Sequence, residues 1–220
     1  MPIVIFQSAK LGDIPQILAE FDWAADLLHQ ETHVERIYGL SGGALTALAF
    51  ALSLSARADP AAWSKAHTAL EDFSGYIRQA RSRDLRRFNR NPWYGTYNLL
   101  PLRRWAAARL QAYTSIAPPV ELKLSQLAIP TCLCVIDRDG TFTPFGPPNP
   151  ELHFQYHGVQ VGPPQDAPIL DALIAALSTL LSTGPSLVNN QWYRDCRPAV
   201  VDAAGVPRLS PLRRRAVPAL

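Results

Sequence analysis

The chain has 220 residues, of which 48% are apolar and 18% charged, and its formal net charge is +3. This length accommodates one domain with a substantial core, and the composition excludes a disordered or collagen-like chain. No stretch reaches the roughly 18 consecutive apolar residues that a membrane-spanning helix requires.

The first residues, MPIVIFQSAK, lack the basic segment and long apolar run of a secretory signal. Cys132, Cys134 and Cys196 are too few and too irregularly spaced for a disulfide framework or a zinc site. We therefore expect a reducing, cytoplasmic location, with export without a leader as the alternative.

The first quarter of the chain follows the pattern of an α/β protein. Residues 3–6 are β-branched and aromatic and predict a buried strand, and 13–30 carry apolar residues at helical spacing. A second strand is predicted at 34–40 and a second helix at 42–54. Strand, helix, strand, tight turn and helix in this order indicate a mostly parallel central sheet flanked by helices.

The rest of the chain continues this alternation. The apolar spacing predicts helices over 60–82, 101–115 and 168–183, a loop over 89–101, two strands within 127–145, and short strands and turns after 188. No internal repeat or domain boundary is visible, so we expect one α/β domain over 1–220. Within it, residues from about 60 to 115 form a helical elaboration, and 208–220 form a frayed tail.

The segment 76–109 combines arginines with aromatic residues. Arginine and aromatic side chains together suit an anionic surface, either lipid headgroups or nucleic acid. The alternative is a solvated pair of helices with arginines on its outer face and the aromatic rings in the core.

The stretch Gly39-Leu40-Ser41-Gly42-Gly43 matches the pattern G-x-S-x-G. In that pattern, a serine on a sharp turn between a strand and a helix presents its hydroxyl as a nucleophile, and the glycines allow close approach of the backbone. The amides at the start of the following helix would stabilise an oxyanion. A purely structural glycine-rich turn is the alternative.

The position of Ser41 indicates which base would serve it. The order serine, aspartate, histidine of an α/β-hydrolase triad is formally available through Asp137 or Asp139 and His153 or His157. However, that fold usually builds several strands before its serine turn, and Ser41 follows a single strand–helix unit. The position therefore favours a dyad of serine and aspartate.

With these features the chain resembles the patatin-like phospholipases, or lipid acyl hydrolases, over nearly its whole length. FQSAKLGDIPQILAEF stands where that family has its glycine-rich oxyanion loop and first helix, and GLSGGALTALAFAL matches its serine turn. YGTYNLLPLRRWAAARL, CVIDRDGTFTPF and ALIAALSTLLSTGPSLVNNQWYRDC are similar to later segments of the family. The last of these precedes and includes the family's catalytic aspartate, which corresponds to Asp195.

The resemblance implies a patatin-like three-layer sandwich and a serine acyl-ester hydrolase of the phospholipase or lysophospholipase type, acting in lipid degradation. Ser41 and Asp195 would be the catalytic dyad, Ser8, Ala9 and Gly42 would supply the oxyanion hole, and no metal or cofactor would be needed. Asp202, in a turn of small residues, is the alternative catalytic acid. The substrate would be an acyl ester or phospholipid, with peripheral contact to an anionic membrane and no nucleic-acid partner.

The chain also departs from the family pattern. Phe6, Gln7, Ser8 and Leu11 stand where the family usually has glycines, and DCR replaces D-G-G at the aspartate. These departures leave a degenerate patatin-like protein that binds a lipid or a partner, without efficient catalysis, as the alternative function. A third reading is an acyl transferase, which would use His153 or His157 as its base.

Overall fold

The computed structural model describes most of the chain up to Cys196. The described residues are 3–8, 14–80, 82–88, 96–114, 122–137, 139–147, 162, 164–178 and 183–196.

Six strands form the main sheet, and two short strands pair separately. In chain order the strands are β1 (Ile3–Ser8), β2 (Arg36–Ser41), β3 (Arg87–Phe88), β4 (Tyr97–Asn98), β5 (Thr131–Asp137), β6 (Phe142–Phe145), β7 (Ser186–Val188) and β8 (Gln191–Asp195). β3 and β4 make the separate pair.

Six α-helices and two 3₁₀ turns lie between the strands in the described ranges. The helices are α1 (Ile14–His29), α2 (Gly43–Ala58), α3 (Ala69–Gln79), α4 (Ser82–Leu85), α5 (Leu100–Tyr113) and α6 (Ile169–Leu177). The 3₁₀ turns are Ala66–Thr68 and Leu124–Gln126. Within the described residues, none of the helices has the length and apolar character needed to cross a membrane.

The main sheet is mixed, with parallel strands at its centre. Its order is β1-β2-β5-β8-β7, and β6 pairs with β5. β1, β2 and β5 run parallel, whereas β6, β8 and β7 are added in antiparallel fashion. The predicted α/β class, with a parallel core flanked by helices, is confirmed at this level. The antiparallel strands come from the last part of the chain, where the sequence predicted strands without a direction.

Helix α2 is the centre of the main core. Its sequence GALTALAFALSLSARA is apolar on nearly every side, and its residues are buried from Gly43 to Ser53. A helix that is apolar all round belongs inside a protein and not on its surface. Helices α1, α3, α5 and α6 contribute side chains to the same apolar cluster, which covers one face of the sheet.

The other face of the sheet carries a second, smaller apolar cluster. Its described members are Tyr38, Leu40, Cys132, Cys134, Ile136, Phe142 and Cys196. They alternate with the residues of the main core along β2 and β5, as successive side chains of a strand must.

The arginine-rich segment divides between core and surface. The Trp105 ring stacks on Tyr76, with 4.0 Å between ring centroids, and meets Phe73 edge-on. The exposed Phe88 instead packs against Tyr97, with 4.6 Å between ring centroids. The expected helical elaboration thus contains one short strand pair, β3–β4.

Helix boundaries differ from the sequence prediction at several places, including the following two. In the range 60–82, which was predicted to be helical, the long helix begins only at Ala69, after turns and a 3₁₀ segment. The helix predicted over 168–183 ends at Leu177. The expected frayed tail 208–220 lies outside the described residues.

Candidate active site

Ser41 is the last residue of β2 and stands immediately before the first turn of α2. Its φ of 51° is left-handed, which is unusual for any residue other than glycine. The backbone therefore turns sharply between strand and helix at this residue. Ser41 is also buried, with only 3% of its surface exposed to solvent.

Two of the flanking glycines are required by close packing. A Cβ on Gly39 would lie 2.6 Å from Ala47 Cβ, and one on Gly43 would lie 2.4 Å from the carbonyl carbon and oxygen of Phe6. Gly39 thus lets α2 fold back tightly on β2, and Gly43 lets the start of α2 touch the end of β1. The predicted importance of both glycines has a steric basis in this geometry.

Asp195 ends β8 and approaches Ser41 from across the sheet. β8 pairs with β5 so that Asp195 is opposite Val135, and β5 pairs with β2 so that Cys134 is opposite Leu40. This register brings two residues separated by 154 positions together: Ser41 Oγ donates a hydrogen bond of 2.7 Å to Asp195 Oδ2. Asp195 has an exposed fraction of 1%.

Ser178, which sequence reasoning missed, holds Asp195 by its backbone. The Asp195 amide donates to the Ser178 carbonyl at 2.7 Å. The Ser178 hydroxyl donates to the Ile174 carbonyl at 2.6 Å and lies 2.8 Å from Ser186 Oγ. These bonds fasten β7 and β8 to the end of α6. A serine after an apolar helix is too common in sequences to have indicated this role.

The proposed oxyanion hole lies between the end of β1 and the start of α2. Ser8 is aligned with Ser41 in the parallel register of β1 and β2. Gly42 is the N-cap of α2, with φ −54° and ψ −31°, and the first amides of a helix have no acceptor within it. Ala9, the third predicted donor, lies outside the described residues.

A carboxylate lies next to this region. Glu20 of α1 accepts a hydrogen bond of 2.8 Å through Oε1 from the Gln7 amide, one residue before Ser8. The Gln7 carbonyl accepts a longer hydrogen bond from Gln16 Nε2, at 3.5 Å. Helix α1 therefore holds the end of β1 through two side chains, one of which is acidic.

Cys196 is a second residue that sequence reasoning missed. Its thiol is buried in the second apolar cluster, directly after Asp195. Burial raises the pKa of Cys196 well above its ordinary value, the Asp195 charge adds to this, and backbone hydrogen bonds from Ser41 and from Cys196 itself oppose it. The Cys196 sulfur thus contacts the backbone of the serine turn and remains a thiol at neutral pH.

Other predicted candidates do not enter this description. Asp202, His153 and His157 lie outside the described residues. Asp137 ends β5, and its Oδ1 accepts hydrogen bonds from the amides of Asp139 and Thr141 in the turn that follows. In the part of the chain that is described, no group of three or more His, Cys, Asp or Glu side chains could hold a metal ion.

No protein-family model matches the chain, and no curated protein matches it. The chemistry of the site must therefore be inferred from its geometry. A buried serine hydroxyl, on a left-handed turn just before a helix, donates a hydrogen bond to a buried carboxylate. This arrangement suits nucleophilic attack on an acyl carbonyl.

Proposed function

We propose that this protein is a serine acyl-ester hydrolase of the patatin-like type, which acts on a phospholipid, lysophospholipid or other acyl ester. The observation that carries the proposal is the hydrogen bond of 2.7 Å from Ser41 Oγ to Asp195 Oδ2. Both residues come from the segments that resemble the patatin-like serine turn and aspartate. The proposal includes the finer fold, a three-layer sandwich, and a cytoplasmic, membrane-peripheral location.

In this reaction Ser41 Oγ attacks the ester carbonyl carbon while Asp195 Oδ2 takes the hydroxyl proton. The tetrahedral oxyanion is stabilised by the amide of Gly42 at the start of α2, together with those of Ser8 and Ala9. The intermediate collapses as the leaving alcohol takes the proton from Asp195, and an acyl-serine remains. Asp195 then deprotonates a water that attacks the acyl-serine, which releases the carboxylic acid and restores the Ser41 hydroxyl.

Backbone geometry supports the nucleophilic role over a structural turn. A left-handed φ at a serine costs about 1 kcal/mol or more, and glycine would adopt it freely. A turn with only a structural role would be better served by glycine at position 41.

Glu20 favours a second candidate, a patatin-like binding protein without efficient catalysis. Its carboxylate lies at the Gln7 amide, beside the proposed oxyanion donors, and a negative charge there would oppose the developing oxyanion. Substitution Glu20→Gln tests this candidate, because it keeps an oxygen acceptor for the Gln7 amide and removes the charge. A rise in activity would show that the charge of Glu20 suppresses catalysis, whereas unchanged activity would remove this support for the second candidate.

The proposal is tested by labelling with a fluorophosphonate, which phosphonylates an activated serine. We expect the label on Ser41 by peptide mass spectrometry, its loss in Ser41→Ala, and a rate about 10²- to 10⁴-fold lower in Asp195→Asn, because the base is removed. Asp171→Asn is the matched control, since Asp171 is a partly exposed carboxylate of α6 that pairs with Arg103 and not with the serine. Unlabelled Ser41, or equal rates in the two asparagine variants, would overturn the proposal.

A further inference from the structure

Four large apolar side chains of the described residues are exposed to solvent, and two of them lie on the hairpin that carries Asp195. The four are Phe88, Leu100, Leu187 and Trp192. Leu187 of β7 is 52% exposed and Trp192 of β8 is 41% exposed.

Leu187 and Trp192 stand directly opposite each other in the antiparallel register of β7 and β8. Val188 and Tyr193, the next residue on each strand, are buried in the main core. The hairpin therefore packs one face on the protein and turns the other to solvent. Solvent-facing positions of such a hairpin are ordinarily polar, so a leucine beside a tryptophan is unexpected there.

The tip of the hairpin is uncharged and tightly turned. Residues 186–193, SLVNNQWY, contain no charged side chain. Asn189 and Asn190 have φ of 47° and 64°, the pair of left-handed residues that forms a two-residue hairpin turn. An apolar phase could thus receive Leu187, Trp192 and the turn between them without removing a charge from water.

The hairpin lies at the same edge of the sheet as the candidate active site. Tyr193 is opposite Asp137, the last residue of β5, so Trp192 lies beyond the carboxyl end of that strand. Trp192 precedes Asp195 by three residues on β8, which places it roughly 10 Å from the carboxylate along the strand. A surface bound by the outward face of the hairpin would therefore lie at the edge of the sheet where Ser41 ends β2, across the sheet from the Asp195 side chain.

We infer that the outward face of the β7–β8 hairpin docks on the surface of an anionic lipid aggregate, with Leu187 and Trp192 entering the headgroup boundary. Tryptophan favours this boundary because its ring is apolar and its N–H is polar. Arg194 lies two residues from Trp192 on the same face of β8, where its guanidinium would meet lipid phosphates. The net charge of +3 favours an anionic surface.

This inference deepens the proposed function, since it makes the substrate an ester presented in a lipid surface and not a dissolved one. Docking itself does not depend on catalysis. It is therefore measured in the Ser41→Ala background, where a failure of the proposed hydrolysis has no influence on the result.

The experiment measures sedimentation of the Ser41→Ala protein with vesicles of phosphatidylcholine containing phosphatidylglycerol. Adding Leu187→Thr and Trp192→Thr is expected to weaken binding about tenfold or more, because threonine transfers less apolar surface from water to the lipid than leucine or tryptophan does. Threonine keeps the preference for a strand. Phe88→Thr, at a side chain 69% exposed on a different strand pair, is the matched control and is expected to change binding less than twofold.

Single variants keep the test decisive if the double variant unfolds. Leu187→Thr alone is expected to weaken binding severalfold, and Trp192→Phe, which keeps an aromatic ring, is expected to hold it within about threefold. Absence of vesicle binding, or equal losses for Phe88→Thr and the hairpin variants, would overturn the inference. So would a hairpin-dependent dimer or RNA complex formed without any vesicle binding.

Catalysis provides an independent readout. In the protein that retains Ser41, Leu187→Thr is expected to lower the rate of hydrolysis of vesicle-borne esters by a larger factor than that of a dissolved short-chain ester. A protein that binds vesicles through the hairpin and hydrolyses neither ester would contradict the proposed function and leave the docking surface standing.

Discussion

Gly43 of α2 and Phe6 of β1 approach so closely that no Cβ fits between them. The nearest atoms of Phe6 would lie 2.4 Å from a Cβ on Gly43, and both are backbone atoms that cannot rotate away. This contact fixes the start of α2 against the end of β1, on the two sides of the proposed oxyanion hole.

Gly43→Ala is therefore expected to lower both stability and activity. Insertion of one methyl group into this contact should reduce the free energy of unfolding by about 2–3 kcal/mol and move the amides that would bind the oxyanion. Urea denaturation and ester hydrolysis measure the two effects. Gly75→Ala in α3 is the control, because nothing lies within 4 Å of that Cβ, and it should add about 0.5–1 kcal/mol of stability. Equal effects of the two substitutions would contradict the steric interpretation.

Ser41→Gly is expected to be more stable than Ser41→Ala, by about 1 kcal/mol. Both variants lose the hydroxyl that bonds to Asp195, but only glycine adopts a φ of 51° without strain. The comparison is made by urea denaturation, with Ser53 of α2 as a reference position in an ordinary helix. There the order should reverse, with Ser53→Gly less stable than Ser53→Ala by a similar amount. The same order at both positions would show that residue 41 is unstrained.

Ser178→Ala is expected to reduce the free energy of unfolding by about 1–2 kcal/mol. Because the Ser178 hydroxyl donates to Ile174, the Ser186 hydroxyl must donate to Ser178 Oγ, and the variant removes its acceptor. Activity should fall severalfold, since β8 and its Asp195 are held less firmly, and Ser178→Thr should restore most of it. Ser74→Ala, at an exposed hydroxyl that also bonds to a carbonyl, should cost less than about 0.5 kcal/mol. A drop in stability with unchanged kinetics would remove Ser178 from the positioning of Asp195.

Alkaline pH is expected to destabilise the protein partly through Cys132. Burial is the main cause that raises the pKa of this thiol from 9.0 to about 11, and the nearby Arg36 opposes it. The unfolded chain therefore loses the proton first, so the stabilisation is complete below pH 9 and is lost as pH rises towards 11. Between about pH 8.5 and 10.5, Cys132→Ala should lose about 2 kcal/mol less stability than the parent protein. Parallel pH profiles from urea denaturation would contradict a buried thiol.

The early part of the fold follows directly from local sequence patterns. The segment VERIYGL before Ser41 and the apolar helix after it predict a buried strand followed by a buried helix, and the structure has both. The length of α2 was underestimated, since 42–54 was predicted and the helix continues to Ala58. Helix ends depend on contacts from outside the helix, which local patterns do not contain.

The end of α6 illustrates this dependence. The apolar residues 168–183 continue at helical spacing, but the structure ends the helix at Leu177. The next carbonyl, at Ser178, accepts the amide of Asp195, and the Ser178 hydroxyl bonds back to Ile174. These partners lie far along the chain or depend on where the helix stops, so periodicity alone could not locate the boundary.

The pairing of Ser41 with Asp195 was predicted from the resemblance to patatin-like proteins and not from composition or spacing. The sequence contains other carboxylates in turns, including Asp137 and Asp202, and nothing local separates them from Asp195. What brings Asp195 to the serine is the register of β8 on β5, which is a long-range property. The contact of Cys196 with the serine turn follows from the same register, so local sequence patterns could not predict it either.

The antiparallel addition of β8 has a consequence for how the protein acquires its chemistry. The parallel strands and α2 present Ser41 from the first quarter of the chain, whereas Asp195 arrives on a hairpin whose strands have three and five residues. Closing a loop of 154 residues for so small an element is slow compared with forming the local strand–helix units. During synthesis and refolding, Ser41 is therefore in place before Asp195, and under the proposed mechanism Ser41 would become reactive only when the β7–β8 hairpin docks. The appearance of serine labelling in time would then report the docking of this hairpin.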